Sequence, residues 1–209
     1  MNSAAHSNSP PRRSRTSIWM LVALFFTPLL LAFVLYYGLP HWRPSGTTSH
    51  GDLMTPARAL PALPFRVGEV GHEPRVDPQF WQGKWSLVFT GAPECDARCR
   101  KALVDMRQVR LALNQEMTRV QRVFVPTGEC CNKDEFAAHE GLLIARLPSA
   151  ELQRFYAQLP RYADGEPDRA GRIYVVDPLG NVMMSYSATA PAAGMLKDLK
   201  KLLKLSHIG

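Results

Sequence analysis

The chain is expected to fold as one α/β domain, a mixed sheet flanked by helices, behind a single N-terminal transmembrane helix. Three observations carry this. Residues 17 to 39 form an uncharged apolar run. Short apolar strands alternate with stretches of helical period in the second half of the chain. Finally, 209 residues at 46% apolar composition suffice for one ordinary domain with extra segments.

The apolar run "SIWMLVALFFTPLLLAFVLYYGL" matches the roughly 20 residues that a bilayer core requires. It ends in Tyr36, Tyr37 and Trp42, rings suited to a membrane interface, and lacks the short core and small-residue site of a cleaved signal. Pro28 removes one helical donor, which membrane helices tolerate. Arg12, Arg13 and Arg15 precede the run and only Arg43 closely follows it. The positive-inside bias therefore keeps the N-terminus cytoplasmic and sends the remainder across an inner membrane into the periplasm of a bacterium. The expected organisation is a disordered cytoplasmic tail at 1–17, an anchor at 18–39, a flexible tether at 40–63 and a folded domain at 64–209. The tether reading rests on the Pro, Gly, Ser and Thr content of "PHWRPSGTTSHGDLMTPARALPAL".

Within the domain, "WSLVFT" reads as a buried strand between Gly83 and "GAPE". From Cys95 onward, Ala102, Leu103, Met106, Val109, Leu113 and Met117 recur at helical spacing, so the segment is expected to be an amphipathic helix that starts at the cysteine. "RVQRVFVPT" is a second strand and "SAELQRFYAQL" a helix with Ser149 as its cap. "RIYVVDPLGNVMMSYS" is a hairpin turning at "DPLGN", and "AAGMLKDLKKLLKL" a closing helix. A parallel strand–helix unit followed by an antiparallel hairpin and a packing helix is the thioredoxin-like plan.

The net charge of +7 comes largely from the N-terminal arginines and from Lys197, Lys200, Lys201 and Lys204 in the last helix. No basic groove with interleaved aromatics is visible, which argues against nucleic acid as a partner. No phosphate-cradling glycine loop, serine nucleophile elbow or paired C-x-x-C zinc spacing occurs, and neither a nucleotide nor an organic cofactor is expected.

Chemistry concentrates on Cys95 and Cys99, one helical turn apart at the join of strand and helix. In an oxidising compartment paired thiols serve as structural disulfides, redox couples or metal ligands. A helix N-terminus stabilises a thiolate, which makes Cys95 the more acidic and more exposed thiol in this reading and the attacking one. Two thiolates also suit Cu(I), with one further soft donor completing a trigonal site. Cys130 and Cys131, in the loop after the second strand, are candidates for that donor, although two adjacent cysteines are not expected to pair with each other. Met183 and Met184 alternate on a strand, one into the core and one out, and His139 is read as a surface side chain.

The segments "LVFTGAPECDARC" and "IYVVDPLGNVMMSY" resemble the Sco family of membrane-anchored, thioredoxin-like proteins that assist assembly of cytochrome c oxidase. The resemblance spans roughly residues 64 to 205 and includes the layout of anchor and tether. It implies that Cys95 and Cys99 either deliver Cu(I) to the oxidase subunit carrying the copper site or keep that site's thiols reduced. Two features depart from the family pattern. Asp96 and Arg100 stand where prolines follow the cysteines, and Arg169 occupies the position of the copper-binding histidine. A guanidinium does not ligate copper and favours bare thiolates, which turns the expectation toward thiol exchange. A general membrane-tethered thiol–disulfide oxidoreductase and a non-catalytic assembly scaffold are the alternatives.

Overall fold

The computed structural model describes residues 15–38, 48–131, 133–136 and 138–206. The chain divides into two units, Met1–Thr47 and Thr48–Gly209. In the first, α1 (Arg15–Gly38) is one helix containing Pro28, and from Thr16 it is long and apolar enough to cross a membrane. It begins ahead of the anchor boundary expected at residue 18. Residues 1–14 of the expected tail, with most of the early tether, lie outside the described residues.

The second unit is built on an eight-stranded sheet ordered β1-β8-β7-β4-β5-β6-β2-β3. Its strands are β1 (Asp52–Ala59), β2 (Phe65–Glu69), β3 (Arg75–Asp77), β4 (Trp85–Gly91), β5 (Val120–Pro126), β6 (Leu142–Arg146), β7 (Ile173–Val176) and β8 (Asn181–Tyr186). The helices are α2 (Ala97–Ala112), the single turn α3 (Lys133–Phe136), α4 (Ser149–Tyr156) and α5 (Ala192–Leu205). Strands β4, β5 and β6 run parallel. The β7–β8 hairpin is antiparallel to β4, so the sheet is mixed, as the element order predicts.

Pleating separates the two cores. Leu87 and Phe89 of β4 face α2 and α5, packing with Leu103, Met106, Met195 and Leu199. Val88 faces the other way, with Val123, Tyr174, Trp81 and the α4 residues Leu152 and Phe155. Alternation along β8 buries Met184 and leaves Met183 half-buried, as read. At the hairpin turn, one Asp177 carboxylate oxygen accepts the amides of Leu179 and Asn181, an Asx-type closure that explains "DPLGN".

The largest correction concerns the tether. Asp52–Ala59 is a strand, paired antiparallel with β8, although it contains Pro56 and lies within the expected 40–63 linker. Proline is tolerated there because β1 is an edge strand, where a missing donor costs no ladder bond. The register shifts between Leu53 and Arg58. At the opposite edge, β3 is three residues long. Two further details differ. Ser149 opens α4 as its first residue and makes no side-chain cap. Leu113 and Met117, assigned to the first helix, lie at its C-cap and in a 3-10 segment at Asn114–Arg119.

The fold also contains an anchor the sequence did not suggest. Asp198 of α5 is 6% exposed. It accepts the backbone amides of His50 at 2.7 Å and Gly51 at 3.1 Å, the Tyr186 hydroxyl at 3.0 Å and His50 Nδ1 at 3.0 Å. One buried carboxylate thus fastens the segment leading into β1. Gly194 permits the approach, since a Cβ there would meet His50 Cβ at 2.8 Å.

Candidate redox site

The site grows out of β4, whose seven residues are all buried. Its end is fixed on two sides: the Thr127 amide donates to the Gly91 carbonyl at 2.9 Å, and Thr90 Oγ1 donates to the Pro167 carbonyl. The chain then turns through Ala92–Glu94 into Cys95, whose φ is +38°. A non-glycine residue in the left-handed region is uncommon, and where it occurs the surroundings hold it. Two contacts do so here. The Cys95 amide donates to the Ala92 carbonyl at 3.3 Å, and Arg100 Nη1 donates to the Cys95 carbonyl at 2.8 Å.

Asp96 follows as the N-cap of α2, its Oδ1 accepting the Cys99 amide at 2.9 Å. Its carboxyl is held below the ordinary carboxylate value, first by that amide and then by Arg98. Cys95 therefore lies before the cap and only Cys99 is helical, which corrects the expectation that both occupy one helix face. The reversed backbone at Cys95 nevertheless brings the pair together: Cys95 and Cys99 form a disulfide with their Cα atoms 5.0 Å apart. Both are buried, at 1% and 2% exposure. The expectation of an exposed Cys95 fails because the positive φ turns its side chain inward, against the core shared with Phe89 and Phe124.

Cys130 and Cys131 also form a disulfide with each other, across a cis peptide bond. This overturns the expectation that they would not pair, which rested on the strain of a bridge between adjacent residues. They are half-buried and pack against the same core cluster as Cys95 and Cys99. Their loop is close to the motif loop, since a Cβ on Gly128 would lie 3.7 Å from Pro93 Cγ. Arg146 donates to the Cys130 carbonyl through Nε at 3.1 Å and also through Nη2.

Arg169 does not reach the pair. Its side chain is 87% exposed and lies 3.7 Å from Asp168. Two guanidiniums touch the motif instead, Arg98 at the Asp96 carboxylate and Arg100 at the Cys95 carbonyl, and sequence reading treated Arg100 only as a replaced proline. The loop before β7 does approach the motif through Gly171, where a Cβ would lie 3.9 Å from Arg98 Cβ. Among the described residues no group of three His, Cys, Asp or Glu side chains could hold a metal ion. Once reduced, Cys95 and Cys99 would offer two sulfurs to a soft metal ion. Asp96 is the other residue that sequence reading missed. An acidic residue immediately before a helical pattern is a cap signal, and it was available.

A protein-family profile described as "Transmembrane-like, thioredoxin-like, C-terminal domain" matches residues 85–206. No curated protein matches the chain. Among solved structures, apo Sco1 from Thermus thermophilus is 19% identical, covers 76% of this chain and 99% of its own, and superposes with a TM-score of 0.56. Copper-bound ScoI from Bradyrhizobium japonicum is 19% identical, with coverage of 68% and 98% and a TM-score of 0.51. A thiol:disulfide interchange protein of the thioredoxin family from Chlorobium tepidum is 20% identical, with coverage of 69% and 97% and a TM-score of 0.50. At such identities these likenesses establish the fold: it is thioredoxin-like, and the Sco resemblance of the motifs extends to the backbone.

Proposed function

Since the chain belongs to the family of transmembrane-like, thioredoxin-like C-terminal domains, we propose that it is a membrane-anchored thiol–disulfide exchange protein serving assembly of the copper site of cytochrome c oxidase. The observation that carries the reading is the Cys95–Cys99 pair itself, closed across the cap of α2 directly after a buried strand. A disulfide over three intervening residues constrains the unfolded chain little, which makes a purely structural role a poor use of the bond.

In the forward direction the reduced protein acts. The Cys95 thiolate attacks one sulfur of the target disulfide, forming a mixed disulfide and releasing one target thiolate. The Cys99 thiolate then attacks Cys95 Sγ and releases the second. Two electrons pass to the target, and the protein is left with the Cys95–Cys99 bond, to be reduced again by a dithiol donor of the same compartment. Arg100, clamped on the Cys95 carbonyl, holds the turn that carries the attacking sulfur.

The copper-bound Sco relatives support a second reading, in which the reduced pair carries Cu(I) as cargo. Two thiolates without a third donor favour exchange over tight storage. Anaerobic titration of the reduced full chain with Cu(I) against a competing chelator separates the two. Weak binding that is indifferent to Cys130→Ser and Cys131→Ser agrees with exchange. Stoichiometric tight binding lost in Cys95→Ser and in either loop variant overturns it.

A further inference from the structure

Away from the cysteines, strand β5 carries a charge into the interior. Arg122 is 2% exposed, and only its Nη2 finds a partner, the Glu140 carbonyl. Its Nε and Nη1 are buried without any hydrogen-bond partner. Among the described residues no carboxylate lies within ion-pair distance of it. An unpaired buried cation is strongly unfavourable, and a guanidinium does not escape the cost by losing its proton. Burial, then the charges of Arg110 and Arg107, push its pKa down to about 10, which still leaves a cation at neutral pH.

The surroundings add positive charge where a negative one is needed. Arg122 lines a cavity of ≈ 220 Å³ together with Arg107, Arg110, Leu111, Glu140 and Gly141. Arg107 and Arg110, three apart on α2, share one side of the helix. Arg110 Nε is committed to the Val120 carbonyl at 2.7 Å, while Arg107 makes no hydrogen bond or ion pair among the described residues. A second group reports the same excess. His139, in the adjoining cavity that shares Glu140 and Gly141, has a buried Nδ1 without a partner. Its pKa is lowered by burial and by the charges of Arg122 and Arg107. Glu140 is the carboxylate on the cavity wall and Glu69 acts on Arg122 from the adjoining cavity, which leaves three guanidinium groups against two acids.

We propose that this cavity, between α2 and the start of β6, binds a phosphate-type oxyanion through Arg122, Arg107 and Arg110. Arginine forks match the oxygen geometry of such a group, and charge-assisted bonds from partly enclosed donors are the strong ones. The ligand is a free phosphate or the phosphate of a lipid headgroup. The site is independent of the disulfide chemistry.

The test uses the full chain in phosphatidylcholine nanodiscs, with thermal unfolding followed as inorganic phosphate is added against chloride of matched ionic strength. Phosphate is expected to raise Tm saturably, and Arg107→Gln to weaken the apparent affinity about tenfold. Arg122→Met is expected to abolish the response while raising Tm in phosphate-free buffer, since a buried unpaired charge is gone. Arg107→Gln, on an exposed helix position, keeps the test decisive should Arg122→Met not fold. Nanodiscs doped with phosphatidic acid in phosphate-free buffer distinguish the source: a rise there that Arg107→Gln removes assigns the site to a headgroup, and a rise with the free ion alone assigns it to a soluble phosphate. No rise with either ligand, or a rise that Arg107→Gln leaves unchanged, overturns the proposal.

Discussion

The Asp96 carboxylate accepts the Cys99 amide at 2.9 Å, so the first of the three residues between the two cysteines caps the helix that holds only the second of them. Redox chemistry at the pair and stability of the helix end therefore share one side chain. In the oxidised protein Asp96→Ala is expected to cost about 1 kcal/mol, and Asp96→Asn only a few tenths, because asparagine caps nearly as well. Urea unfolding of the three proteins measures this. The lowered Asp96 pKa means that the cap's stabilisation is complete above the unfolded value near pH 3.9 and is lost as pH falls through the lower folded value. Equal stability of Asp96→Ala and wild type at pH 7 would remove the cap from the account of the site.

Cys99→Ser is expected to trap a mixed disulfide between Cys95 and an oxidised dithiol peptide that copies a copper-site loop, visible by mass spectrometry under non-reducing conditions. Cys95→Ser should trap little. The reverse distribution would make Cys99 the attacking thiol. In the wild-type protein both sulfurs are buried in the disulfide form, so the peptide should be reduced only after the pair itself has been reduced and the reductant removed.

Asp198 offers a second acid-sensitive point. Burial alone would raise its pKa, but hydrogen bonds from the His50 side chain, the His50 and Gly51 amides and Tyr186 bring it below the ordinary value. Its contribution is present in full above the unfolded value near pH 3.9 and disappears as pH falls through the folded one. Asp198→Asn is expected to lower stability by about 1–3 kcal/mol at pH 7, with the gap to wild type closing as pH falls through the lowered folded value. A gap that persists unchanged into acid would mean that packing, not the carboxylate, fastens the segment before β1.

Orientation rests on the arginines that flank the apolar helix. A periplasm-dependent reporter fused after residue 209 should be active, and a cytoplasm-dependent one silent. The opposite result would place all four cysteines in a reducing compartment and remove the basis for a resting Cys95–Cys99 bond.

Strong periodicity made several elements legible. Strands β4 and β5, the β7–β8 hairpin and helices α2 and α5 follow directly from apolar spacing and turn chemistry. β6 escaped because "LLIAR" is five residues behind Gly141, too short to separate from the loop before it. β1 escaped because its pairing with β8 is a tertiary fact that outweighs the proline in its sequence. At the site, the identity of the two cysteines was legible, but their burial was not. The positive φ falls on Cys95, and a cysteine does not signal that conformation. The strand "RVQRVFVPT" was legible but the burial of Arg122 within it was not, since a single sequence does not tell which face of β5 is closed by α2.

Both margins of the sheet are poor templates: one carries Pro56 and a register shift, the other is three residues bounded by Arg75 and Asp77. A protein held on a membrane meets its own copies at a far higher local concentration than one free in solution. Under that confinement an open strand margin would nucleate chains of neighbouring domains. Margins that are poor templates for a further strand would let many copies crowd one patch of membrane and still diffuse apart.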